Sequence, residues 1–404
     1  MAKKKLLMLM GAGTSMPLGM PSVAEIDALM RQWSPPLALR PVAPDYFNSL
    51  WASAVKYGAS GQFTPANGIQ PSFEQILGQM MSLAHWEAPP PRGNPLRLAV
   101  LGDGNLPTDH LHKQIILHQM KNLFGLLARH MRERCRAADL SSPAFSTYAD
   151  VLSGLRDRFE LGIYSLNYDT LAVSAWPQAF TGFSDDGDFD PRSVFERKSW
   201  DFIYHLHGSV HHTLTDPYSA TIRWAQDLSA EFHDGDAAPP SSSRSDFMTF
   251  PRTTLIAGGF KLDQLLVDPF QTFYASLIRH AHEADAILIA GYGFGDVHVN
   301  HALQNRFSRQ VDRPPVAVIT KFGKDQRTMS QRQSGAADLW AWELARALNC
   351  GFDLHAGGVD GRSLISILLE KGGFEEALGG LAAIWHGGFE SVATQIDKFS
   401  ARLS

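Results

Sequence analysis

The chain has 404 residues, of which 44% are hydrophobic and 19% charged, and its formal net charge is -5 at pH 7. This length and apolar content suit one large domain with additions or two domains, and the slightly acidic balance favours neither nucleic acid nor a membrane as a direct partner. The two cysteines, Cys135 and Cys350, are too few for a disulfide framework, which fits a reducing cytoplasm, and no apolar segment approaches the ~20 residues that span a bilayer.

The N-terminal part of the chain begins with a predicted buried strand. Leu6–Met10 is a continuous apolar run that glycines end, as in a central parallel strand, and a helix follows over Ala24–Trp33. The segment from about 35 to 150 then interrupts this pattern, and its first half is rich in Pro and Gly. Apolar residues at helical spacing predict three helices in it, over Ser72–Trp86, Asp109–Ala138 and Ala144–Phe159. We therefore predict a large helical insertion.

Further strand-like runs recur after the insertion, mostly separated by helical or loop segments. They are Leu161–Leu166, Phe202–Leu206, Thr254–Ala257, Ala286–Ala290 and Val316–Thr320. Such alternation predicts a parallel α/β sheet.

Two other segments complete the chain. The polar segment Thr213–Pro251 is typical of an exposed excursion. After Gly323 the pattern predicts helices again, most clearly over Asp338–Leu348 and Leu364–Lys371.

A glycine-rich turn follows the first predicted strand. Its residues are Gly11, Ala12, Gly13, Thr14 and Ser15. Glycines there let the backbone approach a diphosphate, while the N-terminus of the next helix supplies N–H donors. The usual dinucleotide fingerprint would place a third glycine where this chain has Met16, so a tight turn without a ligand is the alternative.

Polar side chains follow two later strands. Asn167 and Asp169 stand where they could meet a ribose or a water, or where they could cap the next helix. His205 and His207 precede Gly208, and strand alternation would put both on one face. A histidine suits proton transfer near neutral pH, although a core position is the alternative for His205.

A metal site is conceivable where further histidines follow. His211 and His212 add to His205 and His207, but no matching carboxylate or thiolate pattern accompanies them. We therefore predict no metal ligands.

A second glycine-rich strand end follows Ala286–Ala290. Its residues are Gly291, Tyr292, Gly293, Phe294, Gly295 and Asp296. Such a turn is what a dinucleotide site needs for its adenosine half. Four polar or glycine-rich strand ends are hard to explain as independent turns, because a nucleotide crevice needs several adjacent ends and a bare scaffold needs none.

Three of these motifs resemble those of the sirtuin family, in the same order along the chain. GAGTSMPLGMPS at 11–22 is similar to the sirtuin GAG-x-S turn and Gly-x-Pro loop, NYDTL at 167–171 to its N-x-D segment, and LHGS at 206–209 to its catalytic His-Gly. The resemblance covers the chain from Leu6 to about Thr320.

The resemblance implies a fold and a set of site residues. The fold class is α/β, a Rossmann-like parallel sheet with helices on both faces, with the helical insertion at about 35–150 inside an NAD-binding domain over 1–325 and a helical C-terminal extension over 326–404. Asn167 and His207 are the implied catalytic residues. The implied NAD contacts are Gly11, Ala12, Gly13, Ser15, Pro21, Asp169, Gly291, Tyr292, Gly293, Phe294 and Asp296.

The departures from the sirtuin pattern favour a different activity. Ser22-Val23-Ala24 stands where deacetylase sirtuins carry Asp-Phe-Arg, and the four cysteines of their zinc module have no counterpart. The remaining pattern is similar to the sirtuin-like NADases of bacterial antiphage defence systems, which implies hydrolysis of NAD as a substrate and no structural zinc. Protein deacylation, ADP-ribosyl transfer and a non-catalytic nucleotide-binding scaffold are the alternatives.

The C-terminal region carries more large apolar residues than a sheet needs for its covering helices. They are Leu339, Trp340, Trp342, Leu344 and Trp385. We therefore predict a homo-oligomer. The resemblance also implies a partner ATPase of the HerA type or another defence partner.

Overall fold

The computed structural model describes a chain with gaps. The described residues are 2–35, 45–59, 71–86, 113–215, 221–230, 232–233, 253–258, 261–308, 312–321, 336–350 and 373–404.

A seven-stranded sheet organises the described residues. Its strands are β1 Lys4–Met10, β2 Phe159–Ser165, β3 Asp201–His205, β6 Ala286–Ala290, β7 Val316–Ile319, β8 Glu375–Ala377 and β9 Ala382–Trp385. The strand order is β3-β2-β1-β6-β7-β9-β8, and every pair is parallel except β8 with β9. The order reverses between β1 and β6, and in open α/β sheets such a switch point is where ligands bind.

Helices cover both faces of this sheet. The side chains of β1 alternate, so that Leu6 and Met8 join one apolar cluster and Leu7 and Leu9 join another. The first cluster includes residues of helices α1 Val23–Trp33, α2 Tyr46–Ala59, α3 Phe73–Trp86, α4 Lys113–Ala137, α5 Pro143–Arg158, α6 Leu171–Ala175 and α12 Ile396–Leu403. The second includes residues of α7 Pro191–Glu196, α9 Phe270–Glu283, α10 Val297–Phe307 and α11 Ala336–Ala347. A short helix, α8 Lys261–Gln264, precedes α9. The predicted parallel α/β fold with a helical insertion is confirmed.

One predicted strand is wrong. Thr254–Ala257 forms no strand of the sheet, and only an isolated bridge joins Leu255 to Gly208. The segment is apolar because Leu255 and Ile256 are buried against the turn that follows β3, while the N–H of Ile256 donates to the carbonyl oxygen of His207. The excursion after residue 212 contains a small two-stranded antiparallel sheet instead, formed by β4 His212–Leu214 and β5 Ile222–Trp224.

In the C-terminal part, α11 matches the predicted helix over Asp338–Leu348, whereas α12 and two strands have no counterpart among the predicted elements. Strand β9 pairs with β7 and β8 pairs with β9, so this part extends the main sheet. The predicted helix over Leu364–Lys371 lies outside the described residues. The boundary near residue 325 stays a prediction.

The apolar residues on which the predicted oligomer rests lie mostly inside the chain. Leu344 and Trp385 are buried in the core, and Trp340 packs on Phe294 and donates to the carbonyl oxygen of Tyr292. The side chains of Leu339 and Trp342 lie outside the described part. The homo-oligomer therefore stays a prediction with a weaker basis. In the described ranges, no helix has the length and apolar character needed to cross a membrane.

Candidate active site

Four strands of the sheet end side by side. Met10 of β1 lies opposite Ser165 of β2 and Ala290 of β6, and Ser165 lies opposite His205 of β3. Because these strands are parallel, the segments that follow them all leave the sheet at its carboxyl edge. This register brings together the four motifs that the sequence singled out.

Asn167 ties the segment after β2 to the turn after β1. Its side-chain Nδ2 donates to the carbonyl oxygen of Gly11 at 3.1 Å and to Ser15 Oγ at 2.9 Å, and it also lies 3.3 Å from Thr14 Oγ1. The side chain is buried. Because both hydrogens of this amide are donated to the turn after β1, Asn167 holds that turn in one conformation.

His207 lies in a buried polar cluster. Its Nε2 is 2.7 Å from Asp296 Oδ2 and 3.3 Å from the hydroxyl of Tyr274. The same Asp296 oxygen accepts a hydrogen bond from Lys261 Nζ at 2.9 Å, and Lys261 Nζ lies 3.4 Å from Glu74 Oε2. A histidine, a lysine and two carboxylates thus meet at the edge of the sheet.

The charges in this cluster shift one another's pKa values. Burial would raise the pKa of Asp296, but the hydrogen bond from His207 and the charge of Lys261 hold that pKa well below its usual range. Burial would lower the pKa of Lys261, but Glu74 and Asp296 raise it above its ordinary value. Asp296 and Lys261 therefore stay charged as a buried ion pair.

Asp169 lies one residue before Thr170, the N-cap residue of α6, and its side chain bonds the start of that helix. It is buried, and its Oδ1 accepts a hydrogen bond from the N–H of Leu171 at 3.0 Å, at the start of α6. Burial raises the pKa of this carboxyl, and a hydrogen bond from Ser15 opposes that rise. Its predicted contact with NAD stays a prediction.

Strand alternation predicts that His205 and His207 lie on one face, but the structure separates them. Strand β3 ends at His205, and the chain turns before it reaches His207. His205 is 1% exposed, and its Nδ1 lies 3.2 Å from the carbonyl oxygen of Asn167. Burial lowers the pKa of His205 to about 4, so the ring is neutral near pH 7.

The neighbouring histidines lie in an aromatic cluster. His211 stacks on Trp224 with ring centroids 4.4 Å apart, and His212 also packs against Trp224. Over the described ranges, no group of three or more His, Cys, Asp or Glu residues is arranged to hold a metal ion.

The glycines of the two turns have different neighbours. A Cβ on Gly11 would lie 2.6 Å from the carbonyl oxygen of Gly291, and a Cβ on Gly13 would lie 2.8 Å from the Cα of Gly291. These glycines therefore let the two turns pack together. A Cβ on Gly293 or Gly295 would meet no atom of the described residues within 4 Å, so among these residues the two positions leave room for another molecule to approach the backbone.

The second turn also presents free backbone donors. Among the described residues, none accepts a hydrogen bond from the N–H groups of Tyr292, Gly293, Phe294 or Gly295. Phe294 has a φ of 56°, a left-handed conformation that is uncommon for a bulky residue. Successive N–H groups in such a turn can form a concave site for an anion such as a diphosphate.

The other predicted NAD contacts are mostly engaged in contacts within the protein. The hydroxyl of Tyr292 lies 3.0 Å from the carbonyl oxygen of Asp296 and 2.9 Å from Asn300 Oδ1, the two acceptors available to its one hydrogen. Pro21 is buried and directly precedes Ser22, the residue that caps α1. Ala12 is half-buried in the turn after β1. Asp296, predicted to contact the cofactor, caps α10 with Oδ1 and binds His207 and Lys261 with Oδ2.

Three residues of the cluster were missed in the sequence analysis. Lys261, Glu74 and Tyr274 lie on different helices, and no local spacing links them to His207. A single lysine in the largely apolar stretch before α9 was the one available signal. Their meeting depends on the tertiary fold.

Part of the chain is similar to a known protein family. Residues 162–339 match the family model of the SIR2-like domain. The matched residues include Asn167, His207, Lys261 and Asp296, whereas the turn after β1 and the insertion helix α3 precede them. No match was found among curated proteins.

The chain is also similar to solved Sir2 structures. A Sir2 homologue in complex with NAD is 14% identical, with 86% of this chain and 90% of that chain covered and a TM-score of 0.36. A structure solved for the mechanism and regulation of Sir2 enzymes is 12% identical, with 86% and 94% covered and a TM-score of 0.36. Because both TM-scores are below 0.5, the fold assignment rests on the strand order and not on these likenesses.

Proposed function

We propose that this protein is an NAD hydrolase that cleaves the bond between nicotinamide and ribose and releases nicotinamide and ADP-ribose. The observation that carries the proposal is the meeting of Asn167 and His207 at one edge of the sheet, beside the two glycine-rich turns. The sirtuin-like order of these motifs supports NAD as the substrate.

We assign the diphosphate of NAD to the second turn, where the sequence predicts the adenosine half, because the glycines of the first turn pack against Gly291. Its N–H groups from Tyr292 to Gly295, which donate to none of the described residues, can donate to phosphate oxygens, and Gly293 and Gly295 allow close approach to the backbone. Asn167, held against the first turn, stands where it can fix a ribose hydroxyl or the attacking water. These residues fit an extended dinucleotide at the switch point of the sheet.

Cleavage requires few groups. The carbon–nitrogen bond breaks with both of its electrons leaving on nicotinamide, which is positively charged before the reaction and neutral afterwards. Water then adds its oxygen to the anomeric carbon of the ribose, which has oxocarbenium character, and His207 accepts the proton that the water loses. Asn167 orients the water or the ribose. Asp169 supports the segment that follows β2 through its hydrogen bonds.

Protein deacylation is the second candidate. Against it, Ser22-Val23-Ala24 occupies the place of the Asp-Phe-Arg of deacetylase sirtuins, and Ser22 is engaged in a capping box with Glu25 at the start of α1. Ser22 therefore has a structural role at the start of α1. A role in antiphage defence, a cytoplasmic setting, a homo-oligomer and a HerA-type partner ATPase are parts of the proposal that rest on the family resemblance.

Product analysis tests the proposal. Purified protein incubated with NAD alone is expected to release nicotinamide and free ADP-ribose in equal amounts, as measured by liquid chromatography. NAD binding, measured by calorimetry in parallel, separates a silent enzyme from a protein that has no NAD site. Nicotinamide release that requires an acylated lysine peptide, ADP-ribose attached to protein, or no NAD binding would each contradict the proposal.

A further inference from the structure

A row of ionisable side chains runs from the helical insertion to the candidate catalytic histidine. Glu74 lies on α3, Lys261 begins α8, Asp296 precedes α10, and His207 follows β3. The successive contacts are 3.4 Å from Glu74 Oε2 to Lys261 Nζ, 2.9 Å from Lys261 Nζ to Asp296 Oδ2, and 2.7 Å from Asp296 Oδ2 to His207 Nε2. Four segments that are distant in sequence therefore meet through charged side chains.

The central pair of this row is almost fully withdrawn from water. The side chains of Lys261 and Asp296 are 7% and 4% exposed, whereas Glu74 is 35% exposed. A buried charge is tolerated only when a partner and further hydrogen bonds compensate for its lost hydration. Removal of Lys261 would leave the Asp296 carboxylate as a buried charge next to His207.

The contact with Asp296 decides which nitrogen of His207 carries a proton. The lysine holds Asp296 as a carboxylate, and a carboxylate only accepts hydrogen bonds. Nε2 of His207 must therefore donate, so it carries the hydrogen. In the neutral ring the other nitrogen, Nδ1, then has the lone pair, and a base acts through its lone pair.

We propose that Asp296 and Lys261 are positioning residues that hold His207 in the Nε2-protonated tautomer, which leaves Nδ1 as the atom that accepts the proton during NAD cleavage. The role of Nδ1 in catalysis rests on the proposed function, whereas the tautomer of His207 does not. Glu74 supplies the second counter-charge of Lys261 and connects the helical insertion to this arrangement.

Asp296→Asn is the most discriminating variant. An asparagine caps helices as well as an aspartate does, so its Oδ1 can still accept from the N–H groups of His298 and Val299. Its Nδ2 would then face His207 and Lys261. Because Nδ2 is a donor, His207 Nε2 must become an acceptor, and the proton moves to Nδ1.

The ring nitrogen shifts of His207 report the tautomer directly. Long-range proton–nitrogen NMR spectra of histidine-labelled full-length protein, with His207→Gln used to assign the signal, are expected to show protonated Nε2 in the wild type and protonated Nδ1 in Asp296→Asn. Asp296→Ser keeps a capping oxygen without a carboxylate and serves if the asparagine variant does not fold. A wild-type ring protonated at Nδ1 alone, or a tautomer unchanged in a folded Asp296 variant, would overturn the proposal.

Steady-state kinetics give the second readout. Asp296→Asn is expected to lower kcat by about 100-fold or more with KM changed only a few-fold, because the substrate still binds but the base is lost. Lys261→Met should lower kcat less, and Lys261→Arg should restore part of that loss. If the wild type shows the expected tautomer but does not cleave NAD, only the proposed function is contradicted. If cleavage depends on His207 but not on Asp296, only the positioning role is contradicted.

Discussion

Gly291 is the residue at which the two glycine-rich turns meet. Its φ is +61°, in the left-handed region, and a Cβ at this position would lie 2.5 Å from the backbone nitrogen of Thr14. The backbones of Gly291 and Thr14 cannot move apart without a cost in free energy, because hydrogen bonds hold both segments in place. The N–H of Gly13 donates to the carbonyl oxygen of Gly291 at 3.0 Å, and the N–H of Gly291 donates to that of Ile319.

Gly291→Ala should therefore destabilise the protein by about 2–4 kcal/mol, from the combined cost of overpacking and of a left-handed alanine. Denaturant unfolding measures this loss. Gly293→Ala is the matched control, since its Cβ would meet nothing within 4 Å, and it should leave the free energy of unfolding nearly unchanged. Equal stability of the two variants would show that the turns do not pack as described.

Helix α1 begins with a capping box directly after the turn that follows β1. Ser22 Oγ accepts a hydrogen bond from the N–H of Glu25 at 3.2 Å, and Glu25 Oε2 accepts one from the N–H of Ser22 at 2.6 Å. Further along the same helix, Asp27 Oδ1 accepts a hydrogen bond from the N–H of Phe73 at 2.6 Å, at the start of α3. The cap thus fixes a helix that also orients the insertion.

Ser22→Ala is expected to reduce the free energy of unfolding by about 1 kcal/mol, because it leaves an N–H group at the helix start without its acceptor. Ser22→Thr keeps a capping hydroxyl and should retain most of that stability. Thermal or denaturant unfolding compares the two. A threonine variant as unstable as the alanine variant would mean that the hydroxyl contributes nothing at this helix start.

The stability of the whole molecule should depend on pH through His205. Burial lowers its pKa from 6.5 to about 4, so between these pH values the unfolded chain binds a proton that the folded chain does not. Stability is therefore lost as the pH falls through this window, by about 3 kcal/mol from this residue. Unfolding curves at pH 7 and pH 4.5 should show a smaller loss for His205→Gln than for the wild type. The exposed His282→Gln is the control, and an equal loss in all three proteins would contradict the assignment.

The sequence predicted those parts of the molecule that depend on local pattern. The strands β1 and β6 could be identified because both are apolar runs that glycine ends, and Asn167 and His207 because polar residues follow such runs. The cluster around His207 could not be predicted, since Glu74, Lys261 and Asp296 meet only through the packing of α3, α8 and α10. Thr254–Ala257 misled the prediction because burial under a turn produces the same apolar run as burial in a sheet.

The rate of NAD cleavage in matched single variants tests the central claim most directly. His207→Ala and Asn167→Ala should each slow nicotinamide release by about 100-fold to 10,000-fold, whereas the exposed His282→Ala and Asn305→Ala should match the wild type. Circular dichroism and the free energy of unfolding establish that the four variants are equally folded. Wild-type turnover in a folded His207→Ala or Asn167→Ala protein would contradict the account.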